Sequence, residues 1–413
     1  MAPSTGPVLS LPKDSGPALG ARTPPGTARL RRVATGISRE EALALILCGD
    51  VELPALLRRA GALRDQGKGR HVSFSPKVFI PLTNLCRDAC SYCTYRKEPG
   101  DPAAEFMTPE QVLAVAEAGQ RAGCTEALFM AGERPEQRYP EAHEALRRFG
   151  CESTIDYMRA MCELVLRKTT LLPHSNPGTM TRAELAALKE VNASLGLMLE
   201  NVSPRLLEPG GPHHDAPSKH PRLRLRTLEA AGELRIPFTT GLLLGIGETV
   251  DEVVDSLFAI KDVHERYGHI QEIIIQNFRA KPATPMAGAV EPTTGFLLRA
   301  VAVARLIFGP EMNIQVPPNL TPRAYGAFLD AGINDWGGIS PVTKDYVNPE
   351  APWPQIVRLR QVTEERGFAL KARLPVYREY ILAKPQYLTP SLAERIRQSA
   401  DTDGFARARL LTT

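Results

Sequence analysis

Short apolar runs alternate with amphipathic segments from about residue 72 to residue 340. The amphipathic segments open on capping boxes at Thr108, Thr181 and Thr249, where Glu or Gln follows three residues later and marks a helix start. Strands that alternate with helices build a parallel sheet. Eight such units predict an α/β fold of the TIM type, a (β/α)8 barrel, with a six-unit barrel as the alternative. The apolar runs lie at 76–83, 126–132, 170–174, 194–200, 238–246, 272–278, 313–317 and 335–339.

The segments on either side of the barrel differ from it in pattern. Ser38 and Glu41 form a capping box for a helix over 38–48, and leucines at near-helical spacing predict another over 53–66. After the barrel, helices are expected near 354–366 and 390–398, in a stretch too short and too poor in apolar residues for an independent domain. We therefore expect N-terminal helices over 36–70, the barrel over 71–340 and a C-terminal cap or tail over 341–413.

Residues 1–35 are rich in Pro, Gly, Ser, Thr and Arg, and Asp14 is their only acidic residue. Such a composition buries too little apolar surface to order itself, which predicts a disordered extension. A transit peptide would share the basic, acid-poor composition, but the prolines oppose the amphipathic helix that it needs.

Composition limits the partners. The formal charge of +4 at pH 7 is small for 413 residues and gives no reason to expect a nucleic-acid partner. No run of about eighteen apolar residues predicts a membrane span. Four of the seven cysteines are scattered, as buried fillers are, so a reducing, cytoplasmic setting is expected.

The other three cysteines are clustered. Cys86, Cys90 and Cys93, at C-x3-C-x2-C spacing, follow the first predicted strand. Three thiolates within eight residues can hold three irons of a 4Fe-4S cluster and leave the fourth iron open to an exchangeable ligand. The alternative is a structural zinc site, which requires four closed ligands and usually a second cysteine pair. No second pair lies nearby, so the spacing favours the cluster.

In a barrel of this type the functional residues stand at the C-terminal ends of the strands. Arg279 and Lys281, after the sixth strand, suit an anionic or carbonyl-rich ring, whereas Asp335 and Asn348 suit the hydroxyls of a polyol. The candidates for substrate contact are Asn176, Asn277, Arg279, Lys281, Asp335 and Asn348.

The histidines suggest no second metal. His213 and His214 lie in a loop rich in Pro and Gly and are expected to be solvated, and His174 is expected to be a satisfied core residue. None shares a ligand spacing with nearby acids.

The cysteine triplet, with the aromatic Tyr92 before its last member, resembles the signature of the radical S-adenosylmethionine superfamily. The resemblance implies that the open iron chelates S-adenosylmethionine. Gly132 and Glu133 are similar to the glycine-rich motif after the second strand, although Ala131 replaces the usual first glycine. Tyr92, Gly132, Glu133 and Glu200 are the positions that the resemblance assigns to this co-substrate. Gly245, at the end of the fifth predicted strand, is a further candidate because a glycine lets the backbone approach the adenine or ribose closely; the alternative is a glycine that only permits tight packing.

Further stretches resemble the 7,8-didemethyl-8-hydroxy-5-deazariboflavin synthase family, FO synthase subunit 1 or CofG, from about 38 to 380. The family cyclises an adduct of tyrosine and a ribitylaminouracil, with loss of ammonia. This implies a partner radical enzyme that makes the adduct and a reductant such as ferredoxin or flavodoxin. One cysteine signature implies the stand-alone cyclising half. The matching stretches are 86–95, 172–178, 196–200, 276–282, 335–339, 347–350 and 352–354.

Three alternatives stay open at this point. The adduct-forming partner (CofH-like) and a menaquinone-pathway radical cyclase would share the cysteine loop and the barrel. A zinc-binding protein without catalysis would share only the cysteines. An RNA-modifying radical enzyme is disfavoured by the modest charge.

Overall fold

The computed structural model describes residues 36–407, which form helices around a parallel sheet. The strands are β1 His71–Thr83, β2 Glu126–Ala131, β3 Leu172–Asn176, β4 Ser194–Gly196, β5 Phe238–Leu244, β6 Ile270–Asn277, β7 Asn313–Gln315, β8 Asp335–Ile339 and β9 Ala369–Ala372. The α-helices are α1 Arg39–Ile46, α2 Leu53–Lys68, α3 Pro109–Arg121, α4 Pro140–Arg148, α5 Thr154–Lys168, α6 Arg182–Lys189, α7 Pro221–Glu233, α8 Val250–Tyr267, α9 Thr294–Phe308, α10 Ile356–Glu365, α11 Arg378–Leu382 and α12 Pro390–Ser399.

Strands β1 to β8 close into a barrel. Each strand pairs in parallel with the next, and β8 pairs with β1, so that the sheet has no gap between its first and last barrel strands. The predicted (β/α)8 barrel is therefore confirmed, and each of the eight apolar runs overlaps a strand. Helices cover the outside, and α3, α6 and α8 begin at the predicted capping boxes of Thr108, Thr181 and Thr249.

The ninth strand was not predicted. β9 pairs with the first four residues of β1, His71–Phe74, while the later residues of β1 pair with β2. β1 is long enough, at 13 residues, to hold both partners at different heights. The four-residue sequence of β9 carries no period long enough to distinguish a strand from a turn.

The N-terminal helices cover one side of the barrel. Ser38 caps α1 as expected, and its hydroxyl accepts a hydrogen bond from the Glu41 amide. Helix α9 has the apolar sequence of a helix buried on every side because α1 and α2 lie outside it. The buried Arg305 on α9 donates to the carbonyls of Gly332 and Met312, so its charge has partners.

The segment after β8 reaches both ends of the barrel. Residues 341–353 lie over the C-terminal strand ends, where the Thr343 hydroxyl accepts a hydrogen bond from the Phe79 amide. Residues 373–377 lie beneath the N-terminal ends, where Leu374 packs beside Leu172. Residues 373–377 therefore cover the lower end of the barrel.

Two further predictions concern the N-terminal extension and membrane-spanning helices. The predicted disordered extension over 1–35 lies outside the described residues. Within 36–407, no helix combines the length and the apolar character that crossing a membrane requires.

Candidate functional site

A single cavity of about 380 Å³ extends from the cysteine loop down into the barrel. Its upper wall includes Cys86, Cys90 and Cys93, so the three predicted ligands face one space. None of the three forms a disulfide, and each is partly exposed. The position agrees with the rule that barrel sites form at the C-terminal ends of strands.

The cysteine loop is held against the end of β2. The Glu133 amide lies 3.1 Å from the Cys86 sulfur, and the Arg87 amide donates to the Glu133 carbonyl at 2.8 Å. Gly132 allows this contact, because a Cβ there would overlap the Leu85 carbonyl and lie 2.8 Å from the Cys86 Cβ. The Gly-Glu pair therefore positions the first cysteine as well as lining the cavity.

The three thiols suit a cluster better than a single ion. Burial raises the pKa of Cys86 to about 12 and that of Cys90 to about 11. Thiolates at such sites need a cation nearby, which cluster irons supply. Among residues 36–407, no three His, Cys, Asp or Glu side chains are grouped closely enough to hold one metal ion, as zinc would require. The donor set therefore fits a 4Fe-4S cluster with one open iron.

A second loop, over 203–220, holds the cysteine loop from the other side. The Ala89 amide donates to the Asp215 carbonyl at 2.8 Å, and the Tyr92 hydroxyl lies 3.0 Å from His213 Nε2. The prediction that His213 is solvated was wrong: it is 2% exposed, and burial lowers its pKa to about 2. His214 is exposed, as predicted.

Two charged residues of this region pair across the cavity wall. Lys219 Nζ lies 2.5 Å from the Glu200 carboxylate, and both side chains line the cavity. Burial and Arg224 lower the pKa of Lys219, but Glu200 and Cys90 outweigh them, so the pKa is raised and the amine stays charged. Sequence reasoning found Glu200 but missed Lys219 and Arg224, which lie in no motif and at no strand end.

The Glu133 carboxylate is held in one orientation. It accepts hydrogen bonds from the Thr179 amide at 3.1 Å and from the Thr179 hydroxyl at 2.5 Å. Gly178 has φ +94° and lies so close that any Cβ would overlap the carboxylate. An acid fixed beside Cys86 is suited to hold an ammonium group next to the metal site.

Most of the predicted substrate residues face the same cavity. Lys281 Nζ donates to the Val347 carbonyl at 2.7 Å, and Arg279 donates to the Leu320 carbonyl at 2.9 Å, so each cation is fixed by backbone. The predicted residues that line the cavity are Tyr92, Gly132, Glu133, Asn176, Glu200, Asn277, Arg279, Lys281 and Asn348.

Two predicted positions do not line it. Asp335 begins β8 instead of ending it, is 0% exposed, and pairs with Arg373 at 2.8 Å, so its expected place at the rim was wrong. Gly245, at φ +95°, lies against Pro292, and its amide donates to Glu248 at 2.6 Å. Gly245 shapes a turn behind the wall.

The cavity also reaches residues that the sequence analysis did not single out. Lys77 and Glu126 lie on the lower, inward-facing parts of β1 and β2 and form an ion pair of 2.7 Å. Charged residues inside otherwise apolar strands were a signal that could have found them.

Solved structures share the fold. The hydrogenase maturase HydG from Carboxydothermus hydrogenoformans aligns with a TM-score of 0.66 over 88% of this chain and 86% of its own, at 18% identity. Methylornithine synthase (PylB) aligns with a TM-score of 0.63 over 81% of this chain and 94% of its own, at 20% identity. At these identities the likeness concerns the fold alone.

Sequence comparison gives a narrower result. The model of the Radical SAM superfamily matches residues 80–260, which include the cysteine loop. The 7,8-didemethyl-8-hydroxy-5-deazariboflavin synthase of Methanopyrus kandleri is 51% identical over 81% of this chain and 100% of its own. The synthase of the same name from Methanothermobacter thermautotrophicus is 49% identical over 79% and 97%.

The FO synthase of Streptomyces coelicolor is 46% identical over 92% of this chain, which spans 45% of that longer protein. The aligned stretches contain the cysteine triplet and most of the barrel. The chain belongs to the 7,8-didemethyl-8-hydroxy-5-deazariboflavin synthase family of the radical SAM superfamily.

Proposed function

We propose that this chain cyclises 5-amino-5-(4-hydroxybenzyl)-6-(D-ribitylimino)-5,6-dihydrouracil, the adduct of tyrosine and ribitylaminouracil, to 7,8-didemethyl-8-hydroxy-5-deazariboflavin, with release of ammonia. One observation carries the proposal: a single barrel with one cysteine triplet matches the whole length of the Methanopyrus kandleri synthase at 51% identity. The FO synthases are about twice as long as the part that aligns. The activity is accordingly that of an ammonia-releasing carbon–nitrogen lyase.

The upper part of the cavity holds the cofactors in this proposal. Cys86, Cys90 and Cys93 would ligate the 4Fe-4S cluster, and Glu133 would take the ammonium group of S-adenosylmethionine. Tyr92, Gly132 and Glu200 would contact the rest of it. When bound, the cluster supplies the electron that cleaves S-adenosylmethionine to methionine and a 5′-deoxyadenosyl radical, from which 5′-deoxyadenosine forms.

The chain's own residues would orient the adduct and exclude water. Arg279 and Lys281 present fixed cationic donors, suited to the carbonyl oxygens of a uracil ring. Phe79 and Trp353 stack with ring centroids 5.2 Å apart and an interplanar angle of 9°, forming an apolar wall. Asn176 and Asn277 add amide groups along the path. Enclosure of this kind protects a reactive intermediate from side reactions.

The proposal also requires partners. Another radical enzyme would supply the adduct, and a low-potential reductant such as ferredoxin or flavodoxin would reduce the cluster. The chain would bind small molecules and one electron donor.

An anaerobic assay tests the reaction. The protein, reconstituted with iron and sulfide, is given dithionite, S-adenosylmethionine and the preformed adduct. We expect a blue-green fluorescent product together with 5′-deoxyadenosine on chromatography. A parallel reaction receives tyrosine and ribitylaminouracil instead. Adduct formation there, without turnover of the preformed adduct, would assign the chain to the adduct-forming step and overturn the proposal.

A further inference from the structure

The lower half of the cavity is lined by polar side chains. They project inward from six of the eight barrel strands. Bulky apolar residues are the usual filling at this level of a (β/α)8 barrel. We call this set the inner ring, and its members are Lys77, Glu126, His174, Thr239, Glu272 and Gln315.

Strand register places these residues at neighbouring heights. Lys77 pairs with Glu126 across β1 and β2, and Thr239 pairs with Glu272 across β5 and β6. Because side chains alternate along a strand, the residue two positions onward faces the same space. Those next residues include Phe79, Leu128 and Ile274, which also line the cavity. The cavity therefore has a mainly apolar waist, in which Asn176 is a polar member, above a polar floor.

The charges of the inner ring are paired with each other and with the floor. Lys77 lies 2.7 Å from Glu126, and the Glu272 carboxylate accepts bonds from Thr239 and from Arg373, each at 2.9 Å. Two cations and two carboxylates thus face the lower cavity, and their formal charges cancel. Such a floor gives no net attraction to a phosphate or a carboxylate.

Several ring members keep unused hydrogen-bonding capacity. Gln315 is 7% exposed and lines the cavity, yet its amide makes no hydrogen bond within residues 36–407. His174 bonds Ser194 through Nδ1 at 2.6 Å. Lys77 has three donors, and one carboxylate is its partner. Because these groups face the cavity, their unused donors and acceptors can bond a polar ligand that enters it.

We propose that the inner ring binds the polyhydroxylated chain of the substrate. The proposal rests on the proposed function, in which the adduct carries a ribityl chain. Each hydroxyl of a polyol both donates and accepts, which matches a ring that mixes amide, ammonium, imidazole and carboxylate groups. The apolar waist would then surround the aromatic part of the adduct.

The position of the inner ring along β1 agrees with this orientation. β1 continues six residues beyond Lys77 to Thr83, or roughly 20 Å of strand, before the cysteine loop begins. A molecule that reacts near the cysteines and reaches the inner ring must be elongated. Gln315 is then a specificity-determining residue, well below the reacting atoms.

Binding without turnover tests this subsite separately from the reaction. Reconstituted enzyme with S-adenosylmethionine, but without reductant, is titrated calorimetrically with the ribityl adduct and with an analogue that carries N-methyl in place of ribityl. We expect the wild type to bind the ribityl adduct at least about tenfold more tightly. Gln315→Met should reduce that preference about three- to tenfold, the equivalent of one neutral hydrogen bond, and leave the analogue's affinity unchanged.

Two further variants complete the experiment. Gln361→Met, on the exposed surface of α10, is the matched control and should keep the full preference. Thr239→Val, which preserves side-chain volume, replaces Gln315→Met if that variant does not fold. Equal binding of both adducts by the wild type, or an equal loss for both in the variants, would overturn the subsite. Selective binding without any turnover would instead overturn the proposed function and leave the polyol subsite standing.

Discussion

The rim and the floor of the cavity use different parts of the chain. At the rim, loops place the cysteines, and backbone contacts at Gly132 and Gly178 allow side chains and main chain to approach closely. At the floor, rigid strands carry side chains that hold one another, such as Lys77 and Glu126. Loops and close backbone contacts thus position the rim, whereas regular strands and paired side chains position the floor.

The largest expected effect is a loss of activity, caused by removing one cysteine at the rim. Cys90→Ala removes one of the three proposed cluster ligands and should abolish cluster binding and all cleavage of S-adenosylmethionine, a loss of activity of at least about a thousandfold. Iron and sulfide content and 5′-deoxyadenosine yield measure it. Cys48→Ala, away from the cavity, is the control and should retain both. Full cleavage by the Cys90 variant would refute the cluster assignment.

The next largest effect is a loss of stability, caused by removing one partner of an ion pair at the floor. Lys77→Met leaves the Glu126 carboxylate, 1% exposed, without its counterion and should lower the free energy of unfolding by about 3–5 kcal/mol. Urea unfolding measures the change. The double variant Lys77→Met with Glu126→Gln should recover much of the loss, because no buried charge is left unpaired. If the single and double variants are equally unstable, packing and not charge holds this part of the floor.

A smaller effect at the floor depends on pH. Burial lowers the pKa of His174 to about 4, below the ordinary 6.5, so the unfolded chain binds a proton more readily. The contribution of neutral His174 to the free energy of unfolding is therefore complete above pH 6.5 and is lost as the pH falls toward 4. From pH 7 to pH 5, the wild type should lose about 2 kcal/mol more unfolding free energy than His174→Gln. His143→Gln, at an exposed site on α4, should follow the wild type; parallel pH curves for all three would contradict the assignment.

The smallest expected effect is a loss of affinity at the rim. Glu133→Ala removes the carboxylate that Thr179 orients and should weaken S-adenosylmethionine binding about tenfold, as expected for one charged contact. Iron content and the visible spectrum should stay unchanged, because the Glu133 amide still meets Cys86. Equilibrium binding measures the affinity, with the exposed Glu141→Ala as control. Unchanged affinity for S-adenosylmethionine would show that the Glu133 carboxylate does not bind it and only stabilises the turn.

The fold was predictable because its signals are local. The apolar runs indicate where strands lie, and the capping boxes at Thr108, Thr181 and Thr249 indicate where helices begin. Eight strands that alternate with helices then predict a closed barrel. β9 was missed because its pairing partner lies about three hundred residues earlier, and no local pattern records that contact. The strand bounds differ by a few residues for the same reason, since pairing and not composition decides where a strand ends.

The rim was predictable to the extent that its residues form motifs. The spacing of Cys86, Cys90 and Cys93 and the place of Glu133 after β2 predicted that these residues would face one site, and all four line the cavity. Lys219 carries no such spacing, and the inner ring is marked only by polar residues within apolar strands. Asp335 is the first residue of the run 335–339, and it therefore lies at the N-terminal end of β8, away from the rim. What sequence reasoning missed is what only register and long-range packing bring together.

The late position of Arg373 and β9 has a consequence for biosynthesis. A ribosome that adds roughly 5–20 residues per second releases β1 some 15–60 s before β9, the strand that pairs with its first residues. Glu272 and Asp335 also emerge before Arg373, whose guanidinium pairs with both, and one edge of the first strand stays unpaired until β9 follows. The first strand therefore gains its last pairing partner only after all the other barrel strands have been made.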